Sequence, residues 1–134
     1  EVFRSSYAIN NWVYNIPSGM DRLWGHAVEP NWKKHSISGY ETPNIPLFLG
    51  GWRWGGHPDD HGNNHRPPTS EDAHGHGMGR FAMNRHSGFV NSVFIDGSAR
   101  PVRLKALWSL KWHREFDVHN QRPAWPQWMQ GMPE

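Results

Sequence analysis

The stretch that decides the fold runs from Arg80 to Phe116, RFAMNRHSGFVNSVFIDGSARPVRLKALWSLKWHREF. Alternating or continuous apolar residues predict three short strands in it, at 81–83, 90–95 and 99–104. Asp96-Gly97, between the second and third strands, has the composition of a tight hairpin turn because both residues tolerate positive φ. The stretch is therefore predicted to form an antiparallel meander.

After Leu104 the apolar spacing changes from two residues to three or four. Leu107, Trp108 and Trp112 then fall on one face of a helix, which predicts a short Trp-rich helix over the sheet. The predicted fold class is α+β, with a small antiparallel sheet closed by this helix and decorated with long loops.

Earlier segments add further elements to this prediction. Residues 5–14 are predicted to form an edge strand or extended segment, and residues 20–24 are predicted to form one helical turn. Residues 45–49 form an apolar strand candidate. Pro46 near its start predicts an edge strand or a first strand residue, because proline donates no ladder hydrogen bond.

The spacing around the hairpin also carries a family resemblance. His86 is followed by nine residues and then Asp96-Gly97, and Trp108 and Trp112 come after the hairpin. This combination resembles the C-terminal signature of the prepilin-type processing-associated domain, found in prepilin-like proteins of planctomycete type. The segments that share in the resemblance are 6–13, 44–49 and 125–129.

The resemblance implies the globular head of a type II secretion pseudopilin or a type IV pilin. Such proteins carry an N-terminal apolar helix, the stalk, that anchors and polymerises them, and this sequence does not contain it. If the resemblance holds, the stalk is expected to precede Val2.

Composition is consistent with one loop-rich domain over residues 1–134, ending in a tail at 117–134. Hydrophobic residues make up 36%, while Trp numbers 9, Gly 14 and Pro 11, so aromatic side chains are expected to supply much of the core. The scattered basic residues, with a net charge of +2, do not indicate a nucleic-acid partner. No apolar run is long enough for a membrane span, and the absence of cysteine leaves no disulfide framework.

Residues 50–79, GGWRWGGHPDDHGNNHRPPTSEDAHGHGMG, are almost free of aliphatic side chains. They are predicted to form a long His- and Gly-rich surface loop that contributes no conventional core. The loop has two interpretations. In the first, the loop binds a metal ion, with oxygen ligands holding calcium or histidines holding a transition metal. In the second, which the residues alone favour, the loop is simply solvated. The resemblance adds weight to calcium, since major pseudopilins carry a calcium site in a head loop. The candidate calcium ligands are Asp59, Asp60, Asn63 and Asn64.

His86 and Asp96 also allow two hypotheses. They resemble a general base with its orienting carboxylate, but no serine near them lies in a nucleophile elbow. The alternative, which we favour, is that Asp96 caps the hairpin turn while His86 packs or hydrogen-bonds at the end of the preceding strand. No phosphate loop, zinc motif or cofactor fingerprint is present, and the sequence predicts no enzyme.

Tryptophan provides a second set of candidate contact residues. Trp52 and Trp54 have strand spacing on one face, and Trp125 and Trp128 form a pair in the tail. Either pair could stack on sugar rings or lie in an interface, or the indoles could compensate for scarce aliphatic residues by burial. Burial is favoured for Trp108 and Trp112.

Together these observations predict a non-enzymatic structural subunit of a cell-envelope or extracellular filament or secretion apparatus. By resemblance its partners are other copies of itself or related pilin-like subunits, and its location is periplasmic, cell-surface or extracellular. The alternative is a carbohydrate- or metal-binding surface module that uses Trp52, Trp54 and the His-rich loop, with surface polysaccharide as a further partner.

Overall fold

The computed structural model describes residues 7–23, 26–28, 31–32, 40, 42–58, 66–71, 73, 75–119 and 123–134. Its strands are β1 (Tyr7–Asn10), β2 (Arg22–Leu23), β3 (His26–Ala27), β4 (Pro46–Gly50), β5 (Gly55–Gly56), β6 (Phe89–Phe94) and β7 (Ala99–Arg103). Short 3₁₀ helices span Asn11–Val13, Thr42–Asn44, Gly77–Arg80 and Lys105–Ser109, and a single-turn helix α1 spans Gln127–Gln130.

The main sheet has five strands in the order β5-β1-β4-β6-β7. All its neighbouring pairs are antiparallel except β1 and β5, which are parallel. The sheet is therefore mixed, where the sequence predicted an antiparallel one. The reason is a bend after β4, because the returning chain passes β1 in the same direction and the Ile9 N–H donates to the Trp54 carbonyl at 3.0 Å.

The hairpin of β6 and β7 forms as predicted. Val90 pairs with Val102 and Val93 with Ala99 across the two strands. Gly97 takes a φ of +85° in the turn, a region that favours glycine. The Gly97 N–H donates to the Phe94 carbonyl at 2.9 Å and closes the turn.

Two other predictions about this region and the chain before it are wrong. Residues 81–83 do not form a strand, because Phe81 directly follows the 3₁₀ helix Gly77–Arg80 and buries its ring completely. The second neighbour of β6 is instead β4. Residues 22–23, predicted as part of a helical turn, pair with β3 in a separate two-stranded sheet.

The first and fourth strands lie deeper in the sheet than an edge assignment implies. β1 lies between β5 and β4, and β4 lies between β1 and β6. Pro46 was predicted to lie in an edge strand or to be the first residue of a strand. It is the first residue of β4. An irregularity of register between Pro46 and Phe48 adjoins this proline.

One hydrophobic cluster packs against the inner face of the sheet. Its largest completely or almost completely buried members are Leu49, Met78, Phe81, Phe94, Leu104, Leu107, Trp108, Trp112, Phe116 and Met129. Trp108 lies in the 3₁₀ helix Lys105–Ser109, and Trp112 follows the end of that helix. A second cluster contains Trp12, Val13, Trp32 and Ile45.

The described parts of residues 50–79 contradict the prediction of a surface loop without core residues. Met78 is fully buried in the main cluster, and Gly55 and Gly56 are buried as β5. A Cβ added to Gly56 would lie 2.5 Å from the Phe81 ring, so only glycine allows this close approach. In these parts the scarcity of side chains goes with close packing of the backbone, against the Phe81 ring at Gly56 and against the Gly79 backbone at Gly75.

No helix within the described ranges combines the length and apolar character that crossing a membrane requires.

Candidate functional site

Strand alternation gives the main sheet an inner face in the core and an outer face toward solvent. We define the outer face by Tyr7, Ile9, Phe48, Asn91 and Val93. Ile9 pairs with Phe48, and Phe48 with Val93, so these three form a row across three strands. Tyr7 is 53% exposed and Phe48 42% exposed. The outer face is therefore accessible at Tyr7 and Phe48, whereas Ile9 is half-buried against the second cluster and Val93 is half-buried as well.

A cleft of about 330 Å³ lies at the end of this face where β1 begins and β4 ends. Its polar and aromatic lining comes from Tyr7, Arg85, His86 and Asn91. Met83, Gly50 and the buried Val90 complete it. Among the described residues that line the cleft there is no carboxylate, so the charged side chain that lines it is a cation.

A strained turn positions His86 beside the cleft. Ser87 has a φ of +51° and Gly88 a φ of +90°. The Gly88 N–H donates to Asn84 Oδ1 at 2.6 Å, and Asn84 Nδ2 donates to Glu71 Oε1 at 2.8 Å. A non-glycine residue keeps a positive φ only when its surroundings hold it there, and such strain clusters at functional sites. This turn is therefore rigidly placed.

His86 and Asn91 lie next to each other on the exposed side of the cleft. His86 Nε2 is 3.5 Å from Asn91 Nδ2, the outer limit of a hydrogen bond. The imidazole and the amide can each offer a donor or an acceptor to a ligand, according to tautomer and amide orientation. This pair can therefore offer hydrogen bonds to a polar ligand.

The structure does not bring His86 and Asp96 together. They flank opposite ends of the six-residue strand β6, which separates them by roughly 20 Å at the usual rise per residue. Asp96 Oδ1 accepts from the Ser98 hydroxyl at 2.7 Å and from the Ser98 N–H at 2.9 Å. These bonds, the side-chain bond first, hold the pKa of Asp96 below its ordinary value. Asp96 thus caps the turn that Gly97 completes.

Trp52 and Trp54 lie in bends rather than in a strand. The prediction that strand spacing places them on one face is therefore wrong. Trp52 is half-buried with the Arg53 guanidinium 5.1 Å from its ring centre. Trp54 is 56% exposed. Of the two, Trp54 offers more accessible surface to a ligand.

The tail tryptophans pack against the protein itself. Trp125 is half-buried and meets Trp108 edge to face, with ring centres 5.3 Å apart. Trp128 donates through Nε1 to the Pro68 carbonyl at 2.8 Å. Trp112 donates through Nε1 to the Leu107 carbonyl at 2.7 Å. These contacts give all four indoles a structural role.

The candidate calcium ligands Asp59, Asp60, Asn63 and Asn64 lie outside the described residues. Within the described ranges no group of three or more His, Cys, Asp and Glu side chains is arranged to hold a metal ion. Directly before the candidate segment, Trp12 Nε1 donates to the Pro58 carbonyl at 2.6 Å, and Asn11 Nδ2 lies 2.9 Å from His57 Nδ1.

Sequence reasoning singled out His86 but missed Tyr7, Met83, Arg85 and Asn91 as its neighbours in the cleft. Alternation along residues 7–9 and 89–94 was the available signal, because it places Tyr7 and Asn91 opposite buried neighbours. It could not reveal that β1 and β6 lie on either side of β4 in one sheet. That proximity is a property of the strand order.

Comparison with protein-family models, curated proteins and solved structures finds no match for this chain.

Proposed function

We propose that this chain is the head of a pseudopilin- or pilin-like structural subunit of a cell-envelope or extracellular filament or secretion apparatus. The observation that carries the proposal is the outer face, where Ile9, Phe48 and Val93 form an apolar row across three strands. An accessible apolar surface of this kind is typical of a site that contacts another protein. The spacing of His86 and Asp96-Gly97 supplies the family expectation.

The arrangement of the hairpin favours a subunit that assembles over one that catalyses. Asp96 accepts hydrogen bonds from Ser98 and caps its own turn, while His86 lies at the other end of β6. Both residues of the motif thereby serve the hairpin. In this proposal the hairpin and the buried Trp108 and Trp112 form a scaffold that presents the outer face to related subunits, outside the cytoplasm.

The test uses the full-length protein in the cells that produce it. Antibodies against this chain, with immunogold microscopy and mechanical shearing, should locate it on surface filaments or in envelope assemblies. Phe48→Ser should lower its recovery in assembled material by about fivefold or more, as expected for an aromatic anchor. Asp117→Ser, at another exposed position, is the matched control. Labelling confined to the cytoplasm would contradict the proposal.

A carbohydrate-binding module is the second candidate, and the exposure of Trp54 favours it. An exposed indole offers a flat apolar face on which a sugar ring can stack. A glycan array with the wild-type chain and Trp54→Ala tests this function. Binding that disappears in Trp54→Ala would support it, whereas binding unaffected by the substitution would place the ligand elsewhere.

Calcium binding at Asp59, Asp60, Asn63 and Asn64 stays a prediction for the same head. Oxygen ligands of these types suit Ca²⁺. A ligand that binds only the folded state raises the melting temperature. The melting temperature with calcium should therefore exceed that with chelator, and the difference should vanish in Asp59→Asn/Asp60→Asn. Identical melting in the two solutions would exclude the site.

A further inference from the structure

We infer that residues 123–134 form an exchangeable strap, which can leave its own site and occupy the same site on a second copy of this chain. The strap site is the surface that receives these residues, and it is defined by Pro68, Arg103, Lys105 and Trp108. It shares no residue with the outer face. The inference therefore goes beyond the proposed function and does not depend on it.

The strap has four apolar anchors, which are Trp125, Trp128, Met129 and Met132. Met129 is fully buried in the main cluster, and the other three pack against that cluster. From Trp125 the later anchors follow at three, four and seven residues. This is the spacing by which an amphipathic segment binds a groove on a partner protein. Gln127 and Gln130, which lie between the anchors, are exposed. The strap thus contacts the rest of the chain as a peptide ligand does.

Side chains hold the strap in place, without backbone pairing to the rest of the protein. Among the described residues no backbone–backbone hydrogen bond joins the strap to another segment, and the Met129 and Met132 N–H groups donate within the strap. Neither sheet has a strand from it. A segment held in this way can open at a smaller free energy than the whole fold. The main sheet can therefore stay intact while the strap leaves.

The first part of the strap is recognised through its two indoles. Trp128 Nε1 donates to the Pro68 carbonyl at 2.8 Å. The Trp125 ring meets Trp108 edge to face, with ring centres 5.3 Å apart. A hydrogen bond and an edge-to-face ring pair both depend on orientation. Together they fix the register of the strap on its site.

Two basic side chains hold the other end of the strap. Lys105 Nζ donates to the Gln130 carbonyl at 3.4 Å and to Glu134 Oε1 at 3.3 Å. Arg103 Nη1 donates to the Glu134 carbonyl at 2.6 Å. Lys105 is almost fully buried, and both of its acceptors in the described part of the chain belong to the strap. Loss of the strap separates this ammonium from both acceptors, which favours binding of another strap.

The same contacts form whether the strap belongs to the same copy or to another, so tether and concentration decide between the two. Residues 117–124, which join the buried Phe116 to Trp125, can span roughly 28 Å when extended. This reach allows a strap to cross to an adjacent copy. A short tether gives the strap an effective concentration in the millimolar range at its own site. Exchange is therefore rare in dilute solution and frequent where copies are crowded, and it links them without a new interface.

The experiment is site-specific crosslinking of purified full chains, whose natural sequence contains no cysteine. Affinity-tagged Glu134→Cys is mixed with untagged Arg103→Cys and treated with a short bismaleimide. We expect a covalent heterodimer whose fraction rises about tenfold for each tenfold rise in protein concentration while exchange is rare, as mass action requires. A synthetic peptide of residues 123–134 should lower the heterodimer yield. The same peptide with Trp128→Ser and Met129→Ser should leave the yield unchanged.

Two controls separate strap exchange from chance collision. The double variant Arg103→Cys/Glu134→Cys should crosslink within one chain, because the two residues are in contact. Ala99→Cys replaces Arg103→Cys as the matched control, since Ala99 is exposed on the same strand roughly 13 Å away. Circular dichroism confirms that each variant is folded.

The inference is overturned if the heterodimer forms no more readily with Arg103→Cys than with Ala99→Cys. Absence of the crosslink within one chain in the double variant overturns it too. A native peptide that does not compete, or equal competition by the two peptides, has the same consequence. Filament recovery plays no part in this test, so its failure is distinguishable from failure of the proposed function.

Discussion

The hairpin of β6 and β7 and the glycine-rich segments around β5 and residues 75–80 reach ordered structure by different routes. The hairpin uses local signals, with a short apolar run in β6, alternation in β7 and Gly97 at a φ of +85° in the turn. The glycine-rich segments have almost no local signal, yet Met78 is fully buried and Gly56 approaches Phe81. The comparison teaches that a glycine-rich sequence with few aliphatic side chains can indicate close backbone packing as well as a solvated loop.

The largest effect is expected where backbone meets backbone in the glycine-rich segments. A Cβ at Gly75 would overlap three backbone atoms of Gly79, which cannot rotate away. Gly75→Ala should lower the free energy of unfolding by about 3 kcal/mol, measured by urea denaturation. Gly131→Ala is the control, because a Cβ there meets nothing within 4 Å. If both variants unfold alike, the close packing of Gly75 is refuted.

The second prediction compares core side chains from the two regions. Met78 and Leu104 are both fully buried, Met78 within the glycine-rich segment 75–80 and Leu104 at the end of the hairpin. Each substitution to alanine should cost about 3 kcal/mol of unfolding free energy, from lost burial and the cavity left behind.

Urea denaturation of the two alanine variants measures this. A loss below about 1 kcal/mol for Met78→Ala, beside a large loss for Leu104→Ala, would show that the glycine-rich segment only covers the core.

A smaller effect is expected at the hairpin turn. Gly97 has no neighbour near its missing Cβ, so Gly97→Ala should suffer only from the left-handed backbone conformation. We expect a loss of about 1 kcal/mol in thermal or urea unfolding. A loss as large as that of Gly75→Ala would mean that the turn is under steric as well as conformational constraint.

The smallest effect concerns how the unfolding free energy depends on pH through Asp96 in the same turn. Hydrogen bonds from Ser98 hold the native pKa of Asp96 below its ordinary value of 3.8. A lowered native pKa stabilises the fold above the ordinary value, and the stabilisation is lost as pH falls through the native pKa. The unfolding free energy of wild type relative to Asp96→Asn should thus be constant near neutral pH and should fall below pH 4.

Urea unfolding of the two proteins between pH 7 and pH 2 measures the difference. A difference that grows with acid would contradict the assigned direction of the pKa shift.

Much of the hairpin could be read from its residues, and little of the cleft could. Asp96-Gly97 and the apolar residues of β6 specify a turn and a strand within a few positions of each other. Residues 81–83 were mistaken for a strand because three alternating residues carry too weak a periodicity, and burial of Phe81 decided their conformation. The cleft joins Tyr7 to Asn91 across β4, and no local rule links them.

The parallel pairing of β5 shows the same limit. Gly55 and Gly56 carry no strand propensity, and their place beside β1 follows from the bend at residues 52–54 and the bond between Ile9 and Trp54.

By itself, the sequence determined the β6–β7 turn, the existence of the strand β6 and the burial of Trp108 and Trp112, because each rests on the conformational or transfer preference of nearby residues. Only the tertiary structure decided the strand order, the packing of Gly56 against Phe81 and the meeting of Tyr7, His86 and Asn91. These features depend on the relative free energies of contacts between distant segments, which short-range patterns do not encode.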